Sequence, residues 1–157
     1  MSVSEILPNF WLSDKNIALS TNFIKNHRIQ VVINCTKDLP FAKVSGLTCH
    51  RIPVNDSLQY HDTVNLYQYL PKITALMGKY YSKRIPILVH CYAGRQRAAT
   101  VVAAFLMRYM GINWKNAVKM IQTKRPSAFR PGINFAQALR SFNQQYGNGN
   151  VDKLCKQ

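Results

Sequence analysis

One stretch near the middle of the chain, Ile85 to Met110, constrains the fold most. It opens on a short apolar run, Ile85 to His90 (I-P-I-L-V-H), of a length suited to a buried strand. It closes on an apolar helix pattern that starts at Arg97, runs to about Tyr109 and stops at Gly111. Only a tight, glycine-containing loop joins the two. The rest of the chain repeats this alternation. Ile29 to Asn34 (I-Q-V-V-I-N) is β-branched and strand-like, and Leu47 to Val54 is a weaker strand with Pro53 near its end. Phe10 to Leu12 suggests a short edge strand. Asp14 or Ser13 is placed to cap a helix reaching about His27. Asp62 is placed to cap another, in which Val64, Leu66, Leu70, Ile73 and Met77 recur at near-helical spacing. Two more helices are expected, Asn113 to Thr123 and Ile133 to Tyr146, the last ended by Gly147. Strands alternating with helices predict an α/β fold with a small, mostly parallel central sheet flanked by helices. Residues 1–147 read as a single domain, and 148–157 as a short C-terminal tail.

Charge and cysteine usage narrow the function. Lys and Arg number 21 against 6 Asp and Glu, a net charge of +15. That favours anionic partners: phosphoproteins and other acidic surfaces, lipid or RNA. The segment Met1 to Asn9 has neither a basic cluster nor an apolar core, and no run approaches the ~18 apolar residues of a membrane span. The four cysteines, Cys35, Cys49, Cys91 and Cys155, form no C-x-x-C pair. An intracellular, cytoplasmic chain with reduced thiols is expected, or a virion protein if the source is viral. No feature sets an oligomeric state.

The loop between strand and helix, His90 to Arg97 (H-C-Y-A-G-R-Q-R), carries the chemistry. Cysteine and arginine six positions apart are a weak signal alone. Here only Cys91 of the four has that arginine, and only Cys91 stands where a strand turns into a helix. A loop entering a helix presents backbone N–H groups without helical partners. Those of Tyr92, Ala93, Gly94, Arg95, Gln96 and Arg97, with the helix dipole, make an anion site. Gly94 permits backbone conformations closed to other residues. Arg97 offers a planar fork matched to two phosphate oxygens. The same donors favour the Cys91 thiolate, the form that attacks phosphorus. A leaving oxygen needs a proton, and few carboxylates are available to give it. Asp56, on a loop just past a strand, is the first candidate and Asp38 the second.

Several segments, in order, resemble the dual-specificity protein tyrosine phosphatases. His90 to Arg97 and Ala98 to Met107 (A-A-T-V-V-A-A-F-L-M) look like that family's signature loop and following helix. Glu5 to Asp14 and Ile29 to Thr36 resemble its first strands. Arg51 to Asp56 (R-I-P-V-N-D) resembles the stretch that ends in its general acid. Lys124 to Phe135 (K-R-P-S-A-F-R-P-G-I-N-F) resembles the approach to its last helix. The resemblance implies a three-layer sandwich, no metal or cofactor, and a two-step reaction with Cys91 as nucleophile, Arg97 as phosphate clamp and Asp56 as acid and then base. His90 would orient the loop. Cys91 to Thr100 also looks like the loop of phosphatidylglycerophosphate phosphatases, and Cys-x-Ala-Gly is shared with phosphoinositide phosphatases. The Asn-Arg-Thr-Gly of RNA triphosphatases is absent.

Two departures stand out. The family usually has Ser or Thr directly after the arginine, where its hydroxyl helps the cysteine leave; here it is Ala98, and Thr100 is a doubtful substitute. The family's Pro-Asn-x-Gly-Phe reads Pro131, Gly132, Ile133, Asn134, Phe135, with Asn and Gly exchanged. Arg95 and Gln96 lie inside the loop and Arg130 in a loop bordering it, and the basic residues, Arg95 and Arg130, are placed to grip a second phosphate or an acidic flank. Cys35, ending a neighbouring strand, is placed to pair with an oxidised Cys91.

Overall fold

A computed structural model describes residues 2–149. Residues 150–157, most of the segment read as a tail, lie outside the described residues. The sheet has five strands in the order β1-β2-β5-β3-β4: β1 Val3–Leu7, β2 Phe10–Ser13, β3 Val31–Asn34, β4 Thr48–Arg51 and β5 Ile87–His90. Only the β1–β2 hairpin is antiparallel; β2, β5, β3 and β4 run parallel to one another. β3 and β5 are buried at every position, which is why both read as unbroken apolar runs.

Their side chains alternate between two cores. Val31, Ile33, Ile87 and Val89 face the larger core, under the helices α3 Tyr60–Ser82, α4 Arg97–Met110, α5 Trp114–Lys124 and α6 Ala136–Asn143. Val32 and Leu88 face the smaller one, with Ala18 and Ile24 of the short helices α1 Lys15–Ala18 and α2 Thr21–Asn26. The result is three layers: helices, sheet, helices. α4 is buried from Ala98 through Arg108, so it needs partners on every side and lies at the centre of its layer. Gly111 ends it in a left-handed turn (φ 69°), with its N–H bonded to Met107 O at 2.9 Å.

Four sequence expectations change. The helix expected to reach His27 is two, because Ser20 adopts extended backbone and its Oγ caps Phe23 N, just as Asp14 caps Ile17 N. β2 is not an edge, since β1 folds back over it. Asp62 does not cap α3; the N-cap is Gln59, and the Asp62 carboxylate lies buried in the first turn. There it accepts hydrogen bonds from Ser57 N, at 2.8 Å, and Ser57 Oγ. The last helix begins at Ala136 rather than Ile133, because Gly132 and Asn134 are bonded to Gln96 across the loop.

Candidate active site

Parallel strands deliver Cys91 to the carboxyl edge of the sheet, where loops converge. Asn34 pairs with His90, so Cys35 and Cys91 leave neighbouring strands side by side. The loop from Cys91 to Gln96 then turns its carbonyls outward, each to a partner. His90 Nδ1 donates to Cys91 O (3.1 Å), Lys15 N to Tyr92 O (3.0 Å), and Phe129 N to Arg95 O (2.9 Å). Arg125 Nη2 donates to Ala93 O (3.0 Å) and Arg125 Nε to Gly94 O (2.8 Å). Gln96 O accepts from Thr100 N and Thr100 Oγ1. With the carbonyls engaged, the N–H groups are the open hydrogen-bonding positions of the loop. Among the described residues none of those from Tyr92 to Gln96 donates to a protein group. That is an anion nest next to the Cys91 sulfur. Gly94 is required here: its φ is +69°, and a Cβ would meet Ser13 O at 2.4 Å.

Arg97 starts α4 and turns back toward the loop. Its Nη1 donates to Val54 O at 2.9 Å, and its Nε is buried without a hydrogen-bond partner among the described residues. A buried donor left open in this way suits an incoming oxyanion. Two residues past Val54, Asp56 reaches the same cleft, a space of ≈ 370 Å³ lined by Asp56, Cys91, Tyr92, Arg95, Arg97 and Arg130, among others. Asn134 Nδ2 donates to Asp56 Oδ1 at 2.9 Å. The bonds from Ser57 to Asp62 pin the backbone just behind it. Asp38 is exposed on the loop after β3 and does not line the cleft.

His90 is 1% exposed, and burial lowers its pKa from 6.5 to about 4. It is neutral at pH 7, and its donation to Cys91 O fixes the proton on Nδ1. The Cys35 thiol is pushed well up, first by burial and then by the neighbouring Cys91, so it stays protonated. Ala98 is buried and brings no hydroxyl to the sulfur. Thr100 does not replace it, because its hydroxyl is bonded to Gln96 O at 2.7 Å. The Gln96 side chain is engaged within the protein. It is buried and bonded to the 130–134 segment, so only the Gln96 backbone N–H is left for phosphate. Arg95 and Arg130 are exposed and line the same cleft as Cys91.

Two contributors carried no role in the sequence reading. Arg125 is 3% exposed and holds the two loop carbonyls that flank Gly94. A loop whose carbonyls all face outward needs donors behind it, and the Arg before Pro126 was the available one. Asn134 reaches Asp56 despite the exchange of Asn and Gly. Side chains two positions apart fall on different sides of a turn, and sequence alone did not show which side met the acid.

The family model of the dual specificity phosphatase catalytic domain matches residues 10–145. The chain belongs to that family. It is 30% identical over 145 residues to human dual specificity protein phosphatase 7, covering 91% of this chain and 33% of that protein. It is also 30% identical to the Drosophila melanogaster dual specificity protein phosphatase Mpk3, over 90% of this chain and 34% of that one. The chain thus spans about a third of the length of these curated relatives. Among solved structures, a mouse putative dual specificity phosphatase complexed with zinc tungstate superposes with a TM-score of 0.81 at 26% identity, covering 90% of this chain and 86% of that one. Human DUSP28 superposes at 0.79 and 23% identity, over 90% and 93%, and shares the fold. Among the described residues no helix is long and apolar enough to cross a membrane.

Proposed function

We propose that this chain is a cysteine-dependent phosphatase that hydrolyses phosphotyrosine and phosphoserine or phosphothreonine in proteins through a phosphocysteine. The observation that carries the reading is the loop after Cys91: backbone N–H groups from Tyr92 to Gln96 without a protein acceptor among the described residues, and an unpartnered, buried Nε on Arg97, which lines the same cleft as Cys91. In the first step the Cys91 thiolate forms an S–P bond as the ester P–O bond breaks. Asp56 gives its proton to the leaving oxygen. In the second step water attacks phosphorus, Asp56 takes its proton, and the S–P bond returns its electron pair to Cys91. The nest and Arg97 hold the equatorial oxygens through both steps, where charge is greatest. The cleft is lined by the phosphate loop, Asp56 and the 130–134 segment. The chain shows no long extension before the loop that would deepen this cleft for phosphotyrosine alone, so phosphoserine and phosphothreonine are proposed as substrates too. The names of the relatives support protein substrates.

A second reading keeps the chemistry and changes the substrate to a phospholipid or an RNA 5′-phosphate. Arg95 and Arg130 at the cleft, with the net charge of +15, favour it. Ala98 favours a third, a phospho-binding protein of weak turnover. Phosphate release from phosphotyrosine and phosphothreonine peptides, a phosphoinositide, phosphatidylglycerophosphate and 5′-triphosphorylated RNA separates them. The peptides are expected to be the best substrates by kcat/KM. A lipid or RNA turned over at least tenfold better than both peptides overturns the protein-substrate reading, and no release from any member supports the binding protein.

A further inference from the structure

An exposed carboxylate is a poor acid unless its direction is fixed, because a free side chain spreads over several rotamers. Asp56 is exposed, yet its Oδ1 accepts from Asn134 Nδ2 at 2.9 Å. Asn134 is seated in turn by the phosphate loop. The buried Gln96 uses both ends of its amide on this segment. Its Oε1 accepts from Asn134 N at 3.0 Å, and its Nε2 donates to Gly132 O at 2.7 Å and Arg130 O at 3.4 Å. Gln96 is also the N-cap residue of α4, immediately before Arg97. A continuous set of bonds therefore runs from the loop that binds phosphate to the carboxylate at the rim.

We propose that Asn134 is a positioning residue for the general acid, and that Gln96 sets its place relative to the phosphate loop. The proposal rests on the reading of Asp56 as the acid. An amide N–H only donates, so the oxygen it meets must accept. Donation to Oδ1 makes that oxygen the carbonyl-like one and leaves Oδ2 to carry the proton toward the leaving group. After transfer the same bond stabilises the carboxylate that will take a proton from water. The link to Gln96 keeps the acid at a constant distance from the sulfur. This gives the exchanged Asn and Gly a purpose: Asn134 supplies the donor, while Gly132 contributes only its carbonyl.

The test compares kcat/KM for two esters, p-nitrophenyl phosphate, whose phenolate leaves readily, and phenyl phosphate, whose phenolate needs the proton. This parameter ends at phosphocysteine formation, so slow hydrolysis of the intermediate does not enter it. Asp56→Asn is expected to lower the phenyl phosphate value ~10²-fold or more and the p-nitrophenyl value far less. Asn134→Ala is expected to lower the first roughly 10-fold and the second less than about 2-fold, as a misplaced acid would. Asn134→Gln, which keeps an amide donor, should fall between wild type and Asn134→Ala, and Asn134→Ala should add nothing to Asp56→Asn. If Asn134→Ala and Asn134→Gln slow both esters equally, or neither, while Asp56→Asn still separates them, the positioning role is wrong and the acid stands. If Asp56→Asn fails to separate the esters, both ideas fall.

Discussion

Arg97→Lys is expected to lower kcat/KM for p-nitrophenyl phosphate by about 10³-fold, the scale for losing one preorganised donor to a developing oxyanion and part of a second. Charge is conserved in this substitution, so the loss isolates geometry. In the native site Nη1 is engaged by Val54 O, and the buried Nε is left for the ligand. A lysine ammonium is one point with three donors and cannot serve the backbone carbonyl and two phosphate oxygens in a planar fork. Inhibition by orthovanadate, a phosphate mimic, should weaken in parallel. The melting temperature should change little, because only one hydrogen bond to the protein is at stake. A fall of less than tenfold in kcat/KM would show that the N–H nest alone holds the phosphate.

The second large effect concerns stability. Arg125→Met is expected to destabilise the fold by about 3 kcal/mol, because the buried carbonyl of Gly94 loses its donor, at about 1–3 kcal/mol for a buried acceptor, and the part-buried carbonyl of Ala93 loses one at a smaller cost. For a domain of this size that is a melting temperature lower by roughly 10 °C. Methionine nearly fills the volume of the arginine stem, so the loss reports hydrogen bonds rather than a cavity. Arg125 also reaches Ser2 Oγ at 2.7 Å and Ser4 Oγ at 3.2 Å, tying β1 and the residue before it to the phosphate loop. Burial lowers its pKa, while the opposed charges of Asp14 and Cys91 raise it. Arg125→Lys keeps the charge but cannot span two carbonyls and two hydroxyls, so an intermediate loss is expected. An unchanged melting temperature in Arg125→Met would show that the phosphate loop holds its shape unaided.

The sequence was most informative where burial is complete. β3, β5 and α4 are buried on all sides, so packing demands an apolar residue at almost every position and the pattern survives in one dimension. The Cys91–Arg97 loop was legible for a related reason, since one strand end and one helix start bracket it. Legibility failed where a polar side chain chose between local and distant partners. Gln96 and Asn134 look like surface or capping residues by type, yet each is bonded to a segment brought close only by folding, and Asp62 turns back to Ser57, five residues earlier, instead of capping α3. Ser20 is the converse: a purely local cap split one expected helix into two. Position after a strand put Asp56 first and Asp38 second as the candidate carboxylate, the resemblance of Arg51 to Asp56 to a family segment strengthened the first, and of the two only Asp56 lines the cleft.

The feature with the most direct consequence is Ala98. In the proposed mechanism it leaves the Cys91 nucleophile intact but withholds the hydroxyl expected to help sulfur leave, and the Thr100 hydroxyl is bonded to Gln96 O. The deciding measurement is therefore acid-quenched mass spectrometry of the protein during steady turnover of p-nitrophenyl phosphate. The expected result is a phosphoryl group on the peptide containing Cys91 in most of the molecules, a smaller share in Ala98→Ser, and neither adduct nor activity in Cys91→Ser. Turnover with Cys91 unmodified would contradict slow hydrolysis of the intermediate, and activity that survives Cys91→Ser would contradict a thiolate nucleophile at this site.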